Sequence, residues 1–151
     1  MDLAYCKDRL SAAGVSFDVG LSPSEFSSVE REYGFRFPPD LREFLGFALP
    51  VSKGWPDWRH GNRSEIMMRL DWPFEGMCFD IEHNAFWLDS WGAKPAGLAD
   101  AYAIARAAVV AAPRLIPVCG HRFLPDSPCE SGKPGVFCLS DGYHLLRLRF
   151  I

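Results

Sequence analysis

The chain has 151 residues, of which 48% are hydrophobic, 14% are aromatic and 23% are charged. This composition predicts one folded domain over 1–151 with a continuous core, and it excludes a disordered chain. The formal net charge of -3 argues against non-specific binding to nucleic acid, which needs a concentrated basic patch.

The cysteines and the N-terminus favour a soluble protein of the cytoplasm. The five cysteines are Cys6, Cys78, Cys119, Cys129 and Cys138. Their odd number and the absence of a Cys-x-x-Cys pair predict neither a disulfide framework nor a zinc knuckle. Residues 1–10 mix acids and bases before any apolar run, unlike a signal peptide, and the apolar run 107–113 is too short to cross a bilayer.

Helices are predicted at both ends of the first fifty residues. Asp2 can cap a short helix that Gly14 ends. A further helix begins after Pro39, where Leu41 opens a stripe of apolar residues at helical spacing, and Pro50 closes it.

The clearest local signal lies between these two helices. Ser22 is the expected N-cap, Pro23 takes the first helical position, and Glu25 completes a capping box. The helix is expected to end at Gly34.

The middle of the chain predicts a loop, a short helix and a strand. Residues 51–63 are rich in glycine, tryptophan and basic residues, so we expect an exposed loop. An amphipathic helix follows over 64–70. In the aromatic stretch 78–95, apolar and acidic residues alternate over 79–82, which predicts a strand with one face toward the core.

The last third predicts one helix and three strands. The alanine-rich segment 97–112 is expected to be helical, 115–119 to be a buried strand, and 120–134 to be a loop. Strands over 136–139 and 144–150 flank a turn signal and predict a hairpin.

The order of these elements predicts the fold class. Helices come first and strands cluster late, so we expect an α+β fold in which N-terminal helices pack on a largely antiparallel sheet built mostly from the second half.

Two groups of side chains invite a catalytic or metal-binding interpretation. Asp80 and Glu82 would share one face of the predicted strand, where a carboxylate pair could perform acid–base chemistry or form a solvated acidic face. Cys119, His121 and Cys129 have irregular spacing and lack a fourth zinc ligand. We favour the solvated face and a structural His121, and expect neither an enzyme nor a cofactor or metal.

Four segments, in this order and spacing, together resemble the SUKH superfamily. The first is Leu21-Ser22-Pro23-Ser24-Glu25 with Tyr33-Gly34 and Phe37-Pro38-Pro39-Asp40-Leu41; the second is Gly76 to Asp80; the third is Asn84-Ala85-Phe86-Trp87 with Trp91-Gly92 and Pro95; the fourth is Pro113 to Val118 with His121 to Pro125 and Gly132-Lys133-Pro134. That superfamily includes a fungal regulator of cell-wall synthesis and many bacterial immunity proteins of polymorphic toxin systems.

The resemblance implies a SUKH-like domain that binds and neutralises a cognate toxin domain. An adaptor or scaffold without a toxin partner is the alternative, as the fungal relatives imply, and an enzyme is the third. The partner is expected to be a protein rather than nucleic acid or a membrane. The apolar segment 145–151 is either buried or pairs with another chain, so we expect a monomer or a weak homodimer.

If the toxin is a nuclease, its cleft is basic, and an occluding protein would present carboxylates and aromatic anchors to it. The six candidate contact residues are Trp55, Asp57, Trp58, Glu82, Asp89 and Trp91. This set assumes that the loop after Val51 folds toward the turn at Asp89.

Overall fold

The computed structural model describes residues 2–131 and the backbone of residues 136–137. The helices are α1 (Leu3–Ala12), α2 (Pro23–Tyr33), α3 (Pro39–Phe47), α4 (Arg63–His83) and α5 (Leu98–Ala111), with a 3₁₀ turn at Asp89–Trp91. The strands are β1 (Phe17–Val19), β2 (Ala48–Pro50), β3 (Leu115–Cys119), β4 (Arg122–Pro125) and β5 (Val136–Phe137). The predicted α+β class is confirmed.

The predicted caps of the N-terminal helices are confirmed. The Asp2 side chain accepts a hydrogen bond from the N–H of Tyr5 at 3.0 Å. Ser22 Oγ accepts from the N–H of Glu25 at 3.3 Å, and the Glu25 carboxylate accepts from the N–H of Ser22 at 2.7 Å. Gly34 ends α2 in the left-handed conformation, with φ 71°, which glycine adopts at no steric cost.

A two-stranded ribbon that the sequence did not predict joins the first and third helices. β1 pairs antiparallel with β2, with Asp18 opposite Leu49. The N–H of Leu21 donates to the carbonyl of Leu45 at 2.9 Å. A methyl group on Gly20 would overlap the carbonyl oxygen of Gly46, so this crossing requires glycine at position 20.

The main core is built around a group of aromatic rings. Phe37 meets Phe26 edge to face at 5.3 Å between ring centroids, and it meets Phe35 at 5.0 Å. Aliphatic residues from the turn before α2 and from α2, α3, β2, α4 and β3 complete it: Leu21, Val29, Leu41, Leu45, Leu49, Ile66, Leu70 and Ile116. This core therefore links the N-terminal helices to the first half of α4 and to the C-terminal sheet.

Helix α4 corrects two predictions. It runs for 21 residues, so the predicted helix end at residue 70 and the predicted strand over 79–82 are both wrong. Ile66, Leu70, Phe74 and Ile81 are buried and recur at the spacing of a helix. Pro73 lacks an N–H to continue the helix ladder, a cost of about 3 kcal/mol, and burial on both sides of it offsets that cost.

The second half of α4 packs against α5 in a separate, smaller core. Phe74, Ile81, Ala101 and Ala105 are its buried members. The helix predicted over 97–112 is confirmed as α5, with its bounds shifted by one residue at each end.

The C-terminal sheet is antiparallel in the order β3-β4-β5. The strand predicted over 115–119 is confirmed. β4 lies where a loop was predicted. β5 lies within the first strand of the predicted hairpin, whereas its turn and its second strand over 144–150 lie outside the described residues.

Arg114 ties the sheet to α2, because its guanidinium donates to the carbonyl of Tyr33 at 2.5 Å. In the part of the chain that the structure describes, no helix combines the length and apolarity that a bilayer crossing needs.

Candidate partner-binding surface

Trp58 belongs to the core. Only 6% of its surface is exposed, and its ring meets Phe37 edge to face at 5.2 Å and Phe35 at 5.8 Å. The expectation of an exposed Trp58 is therefore wrong, because rings distant in sequence enclose this part of the loop. Trp55 is half-buried against Phe44, with 6.3 Å between ring centroids.

Asp57 organises its own loop. Its carboxylate accepts hydrogen bonds from the N–H of Arg59 at 3.2 Å and from that of His60 at 2.8 Å. Such a carboxylate–backbone contact fixes a local turn.

Arg59 clamps this loop onto the start of α2. Its guanidinium donates to Glu25 at 2.5 Å, to Asp18 at 3.3 Å and to the carbonyl of Gly20 at 3.1 Å. The hydrogen bond from Arg59, together with those from Ser22, lowers the pKa of Glu25 to about 2. Arg59 is thus engaged within the molecule.

The loop after Val51 and the segment after α4 contact helix α4 at different positions along its length. Near its start, Arg69 donates to the carbonyl of Gly54 at 3.2 Å. Near its end, Lys94 donates to the carbonyl of Ile81 at 2.6 Å. Twelve residues of helix separate Arg69 from Ile81, or about 18 Å at 1.5 Å per residue. The loop after Val51 and the segment after the helix therefore contact different parts of α4, and the assumption that the loop folds toward Asp89 stays a prediction.

Asp80 and Glu82 do not form the predicted carboxylate pair. Two residues apart on a helix, their side chains leave the axis about 200° apart. Asp80 accepts a hydrogen bond from the Asn84 side chain at 2.7 Å, and Glu82 accepts one from the hydroxyl of Tyr102 at 2.8 Å. The Glu82 contact raises the pKa of Tyr102. Each carboxylate thus has its own partner.

Negative charge is concentrated in residues 71–111, which we call the acidic lobe. The lobe has six carboxylates against two bases, whereas the rest of the chain has 13 against 14. The six are Asp71, Glu75, Asp80, Glu82, Asp89 and Asp100. Of the predicted contact residues, Glu82, Asp89 and Trp91 lie in this lobe, and both carboxylates are exposed.

A half-buried group of aromatic rings lies in the same lobe, and we call it the aromatic cluster: Phe86, Trp87 and Trp91. Trp91 meets Trp87 edge to face at 5.1 Å and Phe86 at 5.9 Å. The indole N–H of Trp87 donates to the carbonyl of Gly92 at 2.7 Å. Leu88 beside them is exposed. Rings held in this way and open to solvent are suited to a protein contact.

Among residues 2–131, the cysteines and histidines do not gather around one point. Cys129 contacts the carbonyl of Phe37 at 3.9 Å, and Cys119 lies beside Gly54. His121 meets the ring of Trp72, with 4.4 Å between centroids. Among the described residues, no group of three or more His, Cys, Asp or Glu side chains is placed to hold a metal ion.

Comparison with known proteins adds no relative. No protein-family model matches the sequence, no curated protein matches it, and no solved structure matches the chain. The resemblance to the SUKH superfamily therefore rests on its four sequence segments.

Sequence reasoning missed two exposed apolar residues of α4, Met68 and Phe79. Met68 lies inside the predicted short helix, and Phe79 lies on the core-facing side of the predicted strand. A helical period extended through Pro73 would have placed both opposite the buried residues of α4.

Proposed function

We propose that this protein is a binding protein that covers a basic protein surface with its acidic lobe, and that it acts in the cytoplasm as an immunity protein against a toxin domain. The observation that supports binding is the coincidence of negative charge with the half-buried aromatic cluster. The sequence resemblance to the SUKH superfamily supports the toxin as partner.

The charges of the lobe account for recognition. Glu82 and Asp89 present exposed carboxylates in the same lobe as the aromatic cluster. A cleft that holds phosphates is basic, so the acidic lobe attracts it over several ångströms and accelerates encounter. Nuclease toxin domains have clefts of this kind.

The aromatic cluster accounts for the stability of the complex. Trp87 and Trp91 are already held by their mutual contact and by the hydrogen bond to Gly92. Rings that are ordered before binding lose little conformational entropy in the complex. Tryptophan is among the residues that most often dominate interface energetics.

The experiment measures toxin binding and toxin inhibition together. The adjacent gene is read first, and where it encodes a secreted protein, the purified C-terminal domain of that protein is the probe. We expect a tight one-to-one complex and loss of the domain's toxic activity on addition of an equimolar amount of this protein. Absence of binding would overturn the toxin assignment.

A scaffold or adaptor without a toxin partner is the second candidate, because the acidic lobe suits any basic protein. Binding of the adjacent-gene domain without loss of its activity would favour this candidate.

A further inference from the structure

Helix α4 has a second face that carries large apolar side chains, opposite the one in the core. Met68, Trp72, Glu75 and Phe79 follow one another at spacings of four, three and four residues, so they lie along one side of the helix. We call these four residues the outer ridge. The buried residues Ile66, Leu70, Phe74 and Ile81 lie on the other side.

The ridge exposes large apolar side chains to solvent. Met68 is 67% exposed and Phe79 is 45% exposed. Single exposed apolar residues are ordinary on protein surfaces, but Met68 and Phe79 lie on the same side of one helix, 11 positions apart, which is a distance of about 16 Å. Anchors at such spacings are the pattern by which a helix lies in the groove of a partner.

Two histidines position the rings of the ridge. His121, from the turn between β3 and β4, meets Trp72 at 4.4 Å between ring centroids. His83, one turn along α4, meets Phe79 at 4.5 Å. The rings are thus ordered in the free protein, which lowers the entropic cost of using them in a complex.

The charges beside the ridge select the occupant. Asp71, Glu75 and Glu82 are four and seven residues apart, so they form an acidic line along the ridge. Asp71 is paired with Arg106 at 3.1 Å. A second copy of this chain would bring like charges together, and nucleic acid would be repelled. A protein groove with an apolar floor and basic rims complements the ridge.

We propose that the outer ridge of α4 inserts into an apolar, basic-rimmed groove of the partner protein, with Met68 and Phe79 as anchors. This inference rests on the proposed function, since the partner is the same toxin domain. It extends the contact surface from the acidic lobe toward the first half of α4.

Alanine substitution tests the ridge. Met68→Ala and Phe79→Ala are measured against the adjacent-gene toxin domain by biolayer interferometry, with folding checked by circular dichroism. Val19→Ala on β1 and Tyr5→Ala on α1 are the controls, because both residues are also highly exposed, at 79% and 61%, and lie outside the acidic lobe and the ridge. We expect each ridge variant to bind about tenfold more weakly or worse, mainly through faster dissociation, and the controls to change binding by less than about twofold.

The possible failures are distinguishable. If the unmodified protein binds the domain and the ridge variants bind equally well, the ridge proposal is overturned and the proposed function stands. If the unmodified protein does not bind, the proposed function fails and the ridge proposal fails with it.

Discussion

The ammonium group of Lys94 donates a 2.6 Å hydrogen bond to the carbonyl oxygen of Ile81. The last four carbonyls of a helix have no partner within the helix, and a cation at this end also complements the helix dipole. The backbone carbonyl of Asp80 accepts hydrogen bonds from the N–H groups of Asn84 and Phe86, both at 3.0 Å. These bonds fold the segment after α4 back onto the helix and position the aromatic cluster.

Replacing Lys94 with methionine should loosen this segment. The substitution keeps much of the side-chain length but removes the charge and the donor, so we expect a loss of about 1 kcal/mol of unfolding free energy. Hydrogen exchange should accelerate at residues 84–97, and protection at α2 should stay unchanged. Equal exchange at 84–97 in both proteins would show that the Lys94 bond does not hold the segment.

Three glycines should respond differently to alanine. Gly20→Ala should destabilise by about 1–3 kcal/mol, because the methyl group would overlap the carbonyl oxygen of Gly46. Gly46→Ala and Gly76→Ala lie inside helices with space for a methyl group. Each should stabilise by up to about 1 kcal/mol. Urea unfolding of the three variants checks this order. A Gly20→Ala protein of unchanged stability would contradict the close approach of Gly20 to Gly46.

Glu25 should make stability depend on pH in the acid range. Its pKa is about 2 in the folded protein against a usual value of 4.5. A lowered folded-state pKa contributes stability that is complete above the unfolded pKa and lost as the pH falls from about 4.5 toward 2. Glu25→Gln should therefore be less stable at neutral pH and lose less on acidification. Thermal melts from pH 2 to 6 check this, and parallel curves for both proteins would contradict it.

Trp58→Ala should test the core position of that ring. Removing a buried tryptophan costs about 3–5 kcal/mol, and the rings of Tyr33, Phe35 and Phe37 would lose their contact with it. Replacing the half-buried Trp55 with alanine should lower the free energy of unfolding by less. Denaturant unfolding compares the two, and a Trp58→Ala protein of unchanged stability would contradict its place in the core.

Local signals in the sequence predicted the capped helices well. The caps at Asp2 and Ser22 involve residues within three positions of each other, so the sequence contains the whole interaction. β1 and β2 have only three residues each, which is too short for an alternating pattern to stand out. The continuation of α4 beyond residue 70 was missed because Pro73 interrupts the pattern and because apolar and acidic residues alternate over 79–82.

The partner contact of the six candidate residues stays a prediction, but the structure shows where each of them lies. Glu82, Asp89 and Trp91 lie in the acidic lobe, since local turns and exposed charges determine their environment. Trp58 could not be placed from sequence, because its burial depends on rings that only the folded chain brings together. The outer ridge could not be predicted either, because its residues share one side of a helix only if that helix continues through Pro73.

Charge reversal in the acidic lobe tests the central claim most directly. The association rate of the adjacent-gene toxin domain is measured at several salt concentrations. The proteins compared are the unmodified protein, Glu82→Lys, Asp89→Lys, the double variant that combines these two changes, and the control Asp8→Lys on α1. The proposed function predicts slower association, by about tenfold for the double lobe variant, with a weaker dependence on salt, and little change for Asp8→Lys. Lobe variants that associate as fast as the Asp8→Lys control would contradict it.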